Sequence, residues 1–273
     1  MRKSAAMNEA VSEAMREAGR GYEKLFVPAV FGPWTKHLIA AAGLRDDARV
    51  LDIACGTGVL ARHALADIGA NGQVVGLDPA PGMIATAEEL EAGIDWRLGS
   101  AEALAFEDKS FDRVLSQFGM MFFQDRDKAA DEMFRVLKPN GKLVIAVWDS
   151  VDANPMYGEI IALLESQVGP AAADALRLPF CLGDPSLVTT PLEQAGFSGI
   201  EVATKVETAN FPSSRHLVEA ELRGWLPLFD IHLDEDKIAE VLRYAEETLA
   251  KYATDSGAAV FPTAAHVISA RKG

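Results

Sequence analysis

The chain has 273 residues, 49% hydrophobic and 24% charged, with a formal net charge of −14. That balance fits an ordinary water-soluble globular chain, long enough for one large domain with an elaboration. It argues against DNA or RNA as substrate, because displacing the counterions around phosphates needs a basic face, and no dense Lys/Arg run is present.

The two cysteines are Cys55 and Cys181. Cys55 sits in a glycine turn, which predicts no structural disulfide and a reducing, cytoplasmic location. The opening stretch Met1 to Ala10 has basic residues but lacks the apolar core of a signal peptide. No apolar stretch approaches the ~20 residues that span a bilayer.

In chain order, residues 4–18, rich in Ala, Glu, Met and Arg, predict an amphipathic helix ending near Gly19 or Gly21. A second helical stretch, 22–42, carries Tyr22, Phe26, Val27, Phe31, Trp34, Leu38 and Ile39 near three- and four-residue spacing, with Pro28 and Pro33 breaking it. From Val50 short apolar runs alternate with helical ones, the pattern of βαβ units and a parallel sheet. Strands are expected at 49–54, 73–78, 94–97, 112–117 and 142–148, and helices at 57–69, 82–92 and 126–137. Lys138-Pro139-Asn140-Gly141 should end the last of these helices and launch the fifth strand. Pro185 and Pro191 bracket a short helix start that Gly196 ends, before strands at 199–208 and 259–270.

Two segments, 150–184 and 212–256, exceed this alternation. The second is helical by the spacing of Leu217, Val218, Leu222 and Leu226, then Ile238, Val241, Leu242 and Leu249. Neither is long or distinct enough to be an independent domain. The expected organisation is an N-terminal helical lid over 1–44 and an α/β domain over 45–273, one structural domain overall. Ligands of an open α/β sheet bind beyond the carboxyl ends of its strands, so both insertions are expected to add to the lid.

The chemistry centres on Val50 to Arg62. An apolar strand there runs into Gly56-Thr57-Gly58 and then a helix start, a corner where a ligand can approach the backbone and meet free N–H groups. Asp78 ends the next apolar run, 20 residues beyond Gly58, where a carboxylate can accept both hydroxyls of a ribose. Asp52 stands just before the turn. It would repel a diphosphate but suits an ammonium or sulfonium group. A ribose with a cationic amino-acid end describes S-adenosylmethionine better than NAD.

Asp52-Ile-Ala-Cys-Gly-Thr-Gly58, Gly76-Leu-Asp-Pro-Ala-Pro-Gly-Met83, Gly99-Ser-Ala-Glu102 and Phe111-Asp-Arg-Val-Leu-Ser-Gln-Phe118 resemble successive motifs of the class I S-adenosylmethionine-dependent methyltransferases. Within them the chain resembles the small-molecule branch that includes the quinone-biosynthesis C-methyltransferases, over about residues 45–150. The resemblance implies a Rossmann-like, seven-stranded, mostly parallel sheet with an antiparallel hairpin at one edge, and N-terminal helices lying over the cofactor. It implies a cofactor site of Asp52, Ala54, Gly56, Thr57, Gly58, Asp78, Pro79, Met83, Ser100, Ala101, Glu102, Ser116, Gln117 and Phe118. Many members have Asp where Ser100 stands, to accept from the adenine amino group. A neutral hydroxyl should hold it less strongly; Glu102 is the alternative, unless it only starts the next helix.

Methyl transfer asks the protein to align donor and acceptor and to exclude water, which apolar and aromatic walls do. Candidate walls of the acceptor pocket are Tyr22, Phe31, Trp34, Met120, Met121, Trp148, Trp225 and Phe229, with plain core packing as the competing role. No residue stands out as a general base; Tyr22, His37 and His232 are the weak candidates. His63 is expected to be solvated. The Asn/Asp-Pro-Pro-Tyr tetrad of methyltransferases that act on amino groups of bases or protein glutamine is absent at Ser116–Phe122, which favours a small-molecule acceptor. No His/Cys cluster has metal-ligand spacing.

The expectation is S-adenosylmethionine-dependent methyl transfer to O, N or C of a small, largely apolar metabolite, with S-adenosylhomocysteine as product, by a monomer or homodimer. The alternatives are a cofactor-binding protein with a non-methylating or regulatory role, and a nicotinamide-dependent dehydrogenase. The latter is disfavoured by Asp52 and by the lack of any Tyr-x-x-x-Lys.

Overall fold

A computed structural model describes residues 11–273; positions 4–10 of the expected first helix lie outside them. The chain divides into two compact units. Among the described residues the first comprises 11–147, 185–204 and 266–273, the second 148–184 and 205–265. The two segments expected as insertions into one domain thus fall together in the second unit.

The first unit opens with α1 (Glu13–Phe26), capped by Ser12, whose hydroxyl accepts the Met15 N–H. This helix does not stop at Gly19 or Gly21 as expected. A Cβ at Gly19 would lie 2.7 Å from the Gly82 carbonyl oxygen, and one at Gly82 would lie 2.3 Å from that of Met15. Gly19 is therefore a point of close helix crossing against α4 (Pro81–Leu90), not a terminator. Pro28 and Pro33 break the following stretch as expected, into a π turn (Val27–Phe31), a 3-10 turn (Gly32–Trp34) and α2 (Thr35–Ala42).

Next come β1 (Arg49–Ile53), α3 (Val59–Asp67), β2 (Gln73–Asp78), α4, β3 (Asp95–Leu98), β4 (Phe111–Gln117), α5 (Arg126–Val136) and β5 (Leu137–Trp148). Strands β1 to β5 pair in parallel. With β6 (Ser198–Phe211) and β7 (Ala259–Arg271) they form one seven-stranded sheet in the order β3-β2-β1-β4-β5-β7-β6. Chain order reverses between β1 and β4, the switch point where open α/β sheets bind ligands. The expected turn at 138–141 is instead an irregularity inside β5. Phe111 pairs with Leu137 but Arg113 already pairs with Lys142, and Asn140 absorbs the excess at φ +62°. Between β5 and β6, α8 (Ser186–Gln194) starts after Pro185, takes Pro191 into its interior and ends just before Gly196.

The second unit is largely helical: α6 (Pro155–Gln167), α7 (Pro170–Arg177), α9 (Ser214–Ala220), a π turn (Glu221–Trp225), a 3-10 turn (Leu226–Phe229) and α10 (Glu235–Thr248). Asn154 stitches it internally: its amide donates to Ala264 O at 3.2 Å and its Oδ1 accepts the Ala264 N–H at 2.9 Å. No helix among the described residues is long and apolar enough to cross a membrane.

Candidate active site

Strands β1 and β4 both end in backbone that side chains rarely adopt. Ala54 and Phe118 each have φ +55°. Gly119 packs where a Cβ would lie 2.5 Å from that of Ala54. The two strand ends thus turn sharply side by side at the switch point. Such outliers persist only where surrounding packing over-determines them, and they concentrate at binding sites.

Polar groups collect there without partners. Both oxygens of Asp52 are buried and lack a hydrogen bond, as do Ser116 Oγ and Gln117 Oε1. Gln117 anchors its amide on the Phe31 carbonyl at 3.0 Å, which leaves its oxygen aimed elsewhere. Burial pushes the Asp52 carboxyl well above the usual range; the Ala61 N–H, near it but outside hydrogen-bonding geometry, offsets this only in part, and the charge of Asp78 adds to it. A buried carboxylate without partner or counter-charge is costly, so this cluster fits a cationic, hydrogen-bonding ligand.

The turn itself is braced from β2. Asp78 Oδ2 accepts the Gly56 N–H and Oδ1 the Ala80 N–H, both at 2.8 Å. Each oxygen keeps a second lone pair for a hydroxyl donor. Burial raises this carboxyl too, with the two N–H groups opposing. Gly56 and Gly58 have φ +56° and +89°, and a Cβ at Gly58 would lie 2.2 Å from the Trp96 ring. Trp96 also covers Gly76, its register partner across β2 and β3.

From α1, Tyr22 lies over Gly56 and stacks on Phe31 at 5.3 Å; Phe31 meets Phe118 at 5.8 Å, and Trp34 meets Phe118 edge-on at 5.6 Å. Three expected wall residues thus stand together with Phe118. Burial first, then the charges of Asp78, Glu23 and Cys55, hold the Tyr22 hydroxyl far above its ordinary value. It is a hydrogen-bond donor at neutral pH and not a ready base. Met120 and Met121 are enclosed in the core. Met83 is half-buried at the start of α4, and Pro79 is exposed.

Ser100 donates to the Glu102 carboxylate, which also accepts the Gln124 N–H at 2.9 Å. Burial alone would raise this acid, but the Ser100 hydroxyl and the backbone N–H groups of Glu102, Gln124 and Asp125 bring it below the ordinary value. Glu102 starts no helix, since 101–110 is irregular. Ala101 is buried beside it. Trp148, Trp225 and Phe229 belong to the second unit, where Trp225 and Phe229 pair at 5.2 Å. His232 is there too, exposed and 3.5 Å from Asp230, while His37 packs on Trp34. His63 is exposed, as expected.

Two site residues were missed from the sequence. Glu23 of α1 accepts from the Thr57 hydroxyl and from Arg62 at 2.7 Å, and Arg62 donates to the Thr57 carbonyl at 2.6 Å. Nothing local signals Glu23, because its partners lie more than thirty residues away. Among the described residues no group of three His, Cys, Asp or Glu is placed to hold a metal ion.

Comparison with known proteins points the same way. Residues 51–145 match the family described as "Methyltransferase domain". Over those residues the chain is similar to methyltransferases. The chain is 36% identical over 124 residues, 43% of its length, to the ubiquinone/menaquinone biosynthesis C-methyltransferase of Hydrogenovibrio crunogenus. The chain spans about half that relative's length, 49%. An uncharacterized protein of Mycobacterium tuberculosis is 28% identical over 240 residues, 85% of both chains. Among solved structures, the fold resembles a phosphoethanolamine N-methyltransferase of Haemonchus contortus in complex with S-adenosyl-L-methionine. The TM-score is 0.59 at 20% identity, over 94% of this chain and 57% of that one. The matched stretch contains the glycine turn, Asp52, Asp78 and the whole of β4.

Proposed function

We propose that this chain uses S-adenosylmethionine to methylate O, N or C of a small, largely apolar metabolite, releasing S-adenosylhomocysteine. The observation that carries the reading is Asp52, a buried carboxylate with neither oxygen satisfied, beside an Asp78 that still has lone pairs to offer. Asp52 would face the cationic amino-acid end, and Asp78 the ribose hydroxyls. Glu102, kept ionised by its N–H and hydroxyl donors, would take the adenine amino group, with Ser100 orienting it. When bound, the sulfonium supplies an electrophilic methyl group. The protein's own work is then alignment and exclusion of water, by Tyr22, Phe31 and Phe118, whose ring faces also tolerate a nearby cation. The C-methyltransferase relative supports the reaction class, and the apolar wall supports the acceptor class.

Thermal denaturation with S-adenosylhomocysteine and with NAD tests the cofactor, since a ligand selective for the native state raises the midpoint by mass action. A rise with the former alone is expected. Release of S-adenosylhomocysteine against a panel of phenols, amines and quinols then tests the reaction. A midpoint that moves with NAD instead would overturn the reading.

A further inference from the structure

Strand β6 closes one side of the sheet, and its outer edge pairs with no other strand among the described residues. From Ser198 to Thr208 not one residue is buried, although β1, β2, β5 and β7 of the same sheet are mostly buried. Val202 is 42% exposed and Val206 64%. A long, regular edge with apolar side chains is a template for another strand; proteins blunt such edges with prolines, bulges or charged side chains, and here the charges are Glu201, Lys205 and Glu207, whose effect depends on what faces them. Between Ile200 and Thr208 this one has neither a proline nor a positive φ.

The sequence of the edge is complementary to itself. In a two-fold antiparallel pair only alternate residues turn their N–H and C=O outward. Facing residues must therefore be both odd or both even in number. With Ala203 facing Ala203, Glu201 lies opposite Lys205 twice, Ile200 opposite Val206 twice, and Val202 opposite Thr204 twice. That axis is also the midpoint of the unburied stretch. Shifting it to Thr204 sets Glu201 against Glu207, and shifting it to Lys205 sets Lys205 against itself. An axis at Val206 pairs Lys205 with Glu207 but draws in Ala209 and Phe211, which are already buried.

We propose that β6 is a dimerisation edge, at which a second copy of this chain adds its own β6 antiparallel, in register about Ala203. The occupant is another copy because the charges and apolar residues match only under the two-fold. Long-range repulsion between two chains of net charge −14 is screened at about 0.15 M salt, while facing pairs in contact are not.

Sedimentation of the full chain across a concentration series at that salt should show twice 29.3 kDa. Glu201→Lys and Lys205→Glu should each weaken the dimer about tenfold or more, since each turns two facing attractions into two repulsions. The double variant should regain it, and Glu207→Lys should leave it intact. Far-UV circular dichroism confirms that each variant is folded. A wild-type monomer throughout, a dimer indifferent to both single reversals, or one lost with Glu207→Lys would each overturn the proposal.

Discussion

Asp78 Oδ2 accepts the Gly56 N–H at 2.8 Å, so the carboxylate that ends β2 also holds the glycine turn that follows β1. On the proposed reading, binding and architecture share one side chain. Asp78→Ala should abolish the S-adenosylhomocysteine-induced thermal shift. It should also destabilise the unliganded protein by about 1–3 kcal/mol, because two backbone donors lose their acceptor. Asp78→Asn keeps one acceptor oxygen and should cost less. Urea unfolding without ligand separates the two effects. A fully stable Asp78→Ala protein would show that the turn does not depend on this brace.

The crossing of α1 over α4 reverses an ordinary expectation. In an exposed helix, glycine to alanine stabilises by up to about 1 kcal/mol. At Gly19 the added methyl would lie 2.4 Å from Thr86 Oγ1 and 2.7 Å from the Gly82 carbonyl. Gly19→Ala should therefore destabilise, whereas Gly21→Ala, with open space around it, should not. Because α1 carries Tyr22 and Glu23 to the glycine turn, Gly19→Ala should also weaken cofactor binding. Equal midpoints for the two variants would contradict the close crossing.

These residues also mark what was legible in advance. The strands around Asp52 and Asp78 were readable because short apolar runs bounded by glycine have few other solutions. Gly19 was misread as a stop because its reason is a helix more than sixty residues away. The turn at 138–141 was misread likewise, since β5 begins early and Asn140 is held by an N–H to Lys272 O bond at 2.8 Å. Gly76 and Trp96 were closer to legible. A glycine within a strand often marks close approach, and a tryptophan stood in the neighbouring strand. Glu23 had no such signal, because hydrogen bonds across folded elements leave no periodicity.

In the proposed site, Asp52 would link ligand binding to proton release. Its carboxyl is raised in the folded state, so its contribution to stability is most favourable below the ordinary carboxylate value of about 4. It is lost as pH rises from there toward the folded value. Asp52→Asn removes this liability and should stabilise the unliganded protein at neutral pH by about 1–2 kcal/mol, raising its midpoint, while losing the ligand shift. A cationic ligand favours the ionised form, so binding near neutral pH should release a proton. Calorimetry in phosphate and in Tris should then give different binding heats, with the difference absent in Asp52→Asn. Equal heats in both buffers would remove Asp52 from contact with the charge.

The second unit holds a further titrating group. Glu221 begins the π turn at 221–225 and is only 6% exposed, and burial pushes its carboxyl up to about 8. In the unfolded chain it titrates near 4.3. Below that value both states bind the proton and its full contribution is present. Between about 4.3 and 8 the unfolded state loses the proton first, so stability should fall as pH rises through this window. Glu221→Gln keeps the neutral shape and removes the titration. Variant and wild type should melt together near pH 4, and the variant should be clearly more stable at pH 8. Parallel midpoints across the range would mean that the wild-type carboxyl is already paired.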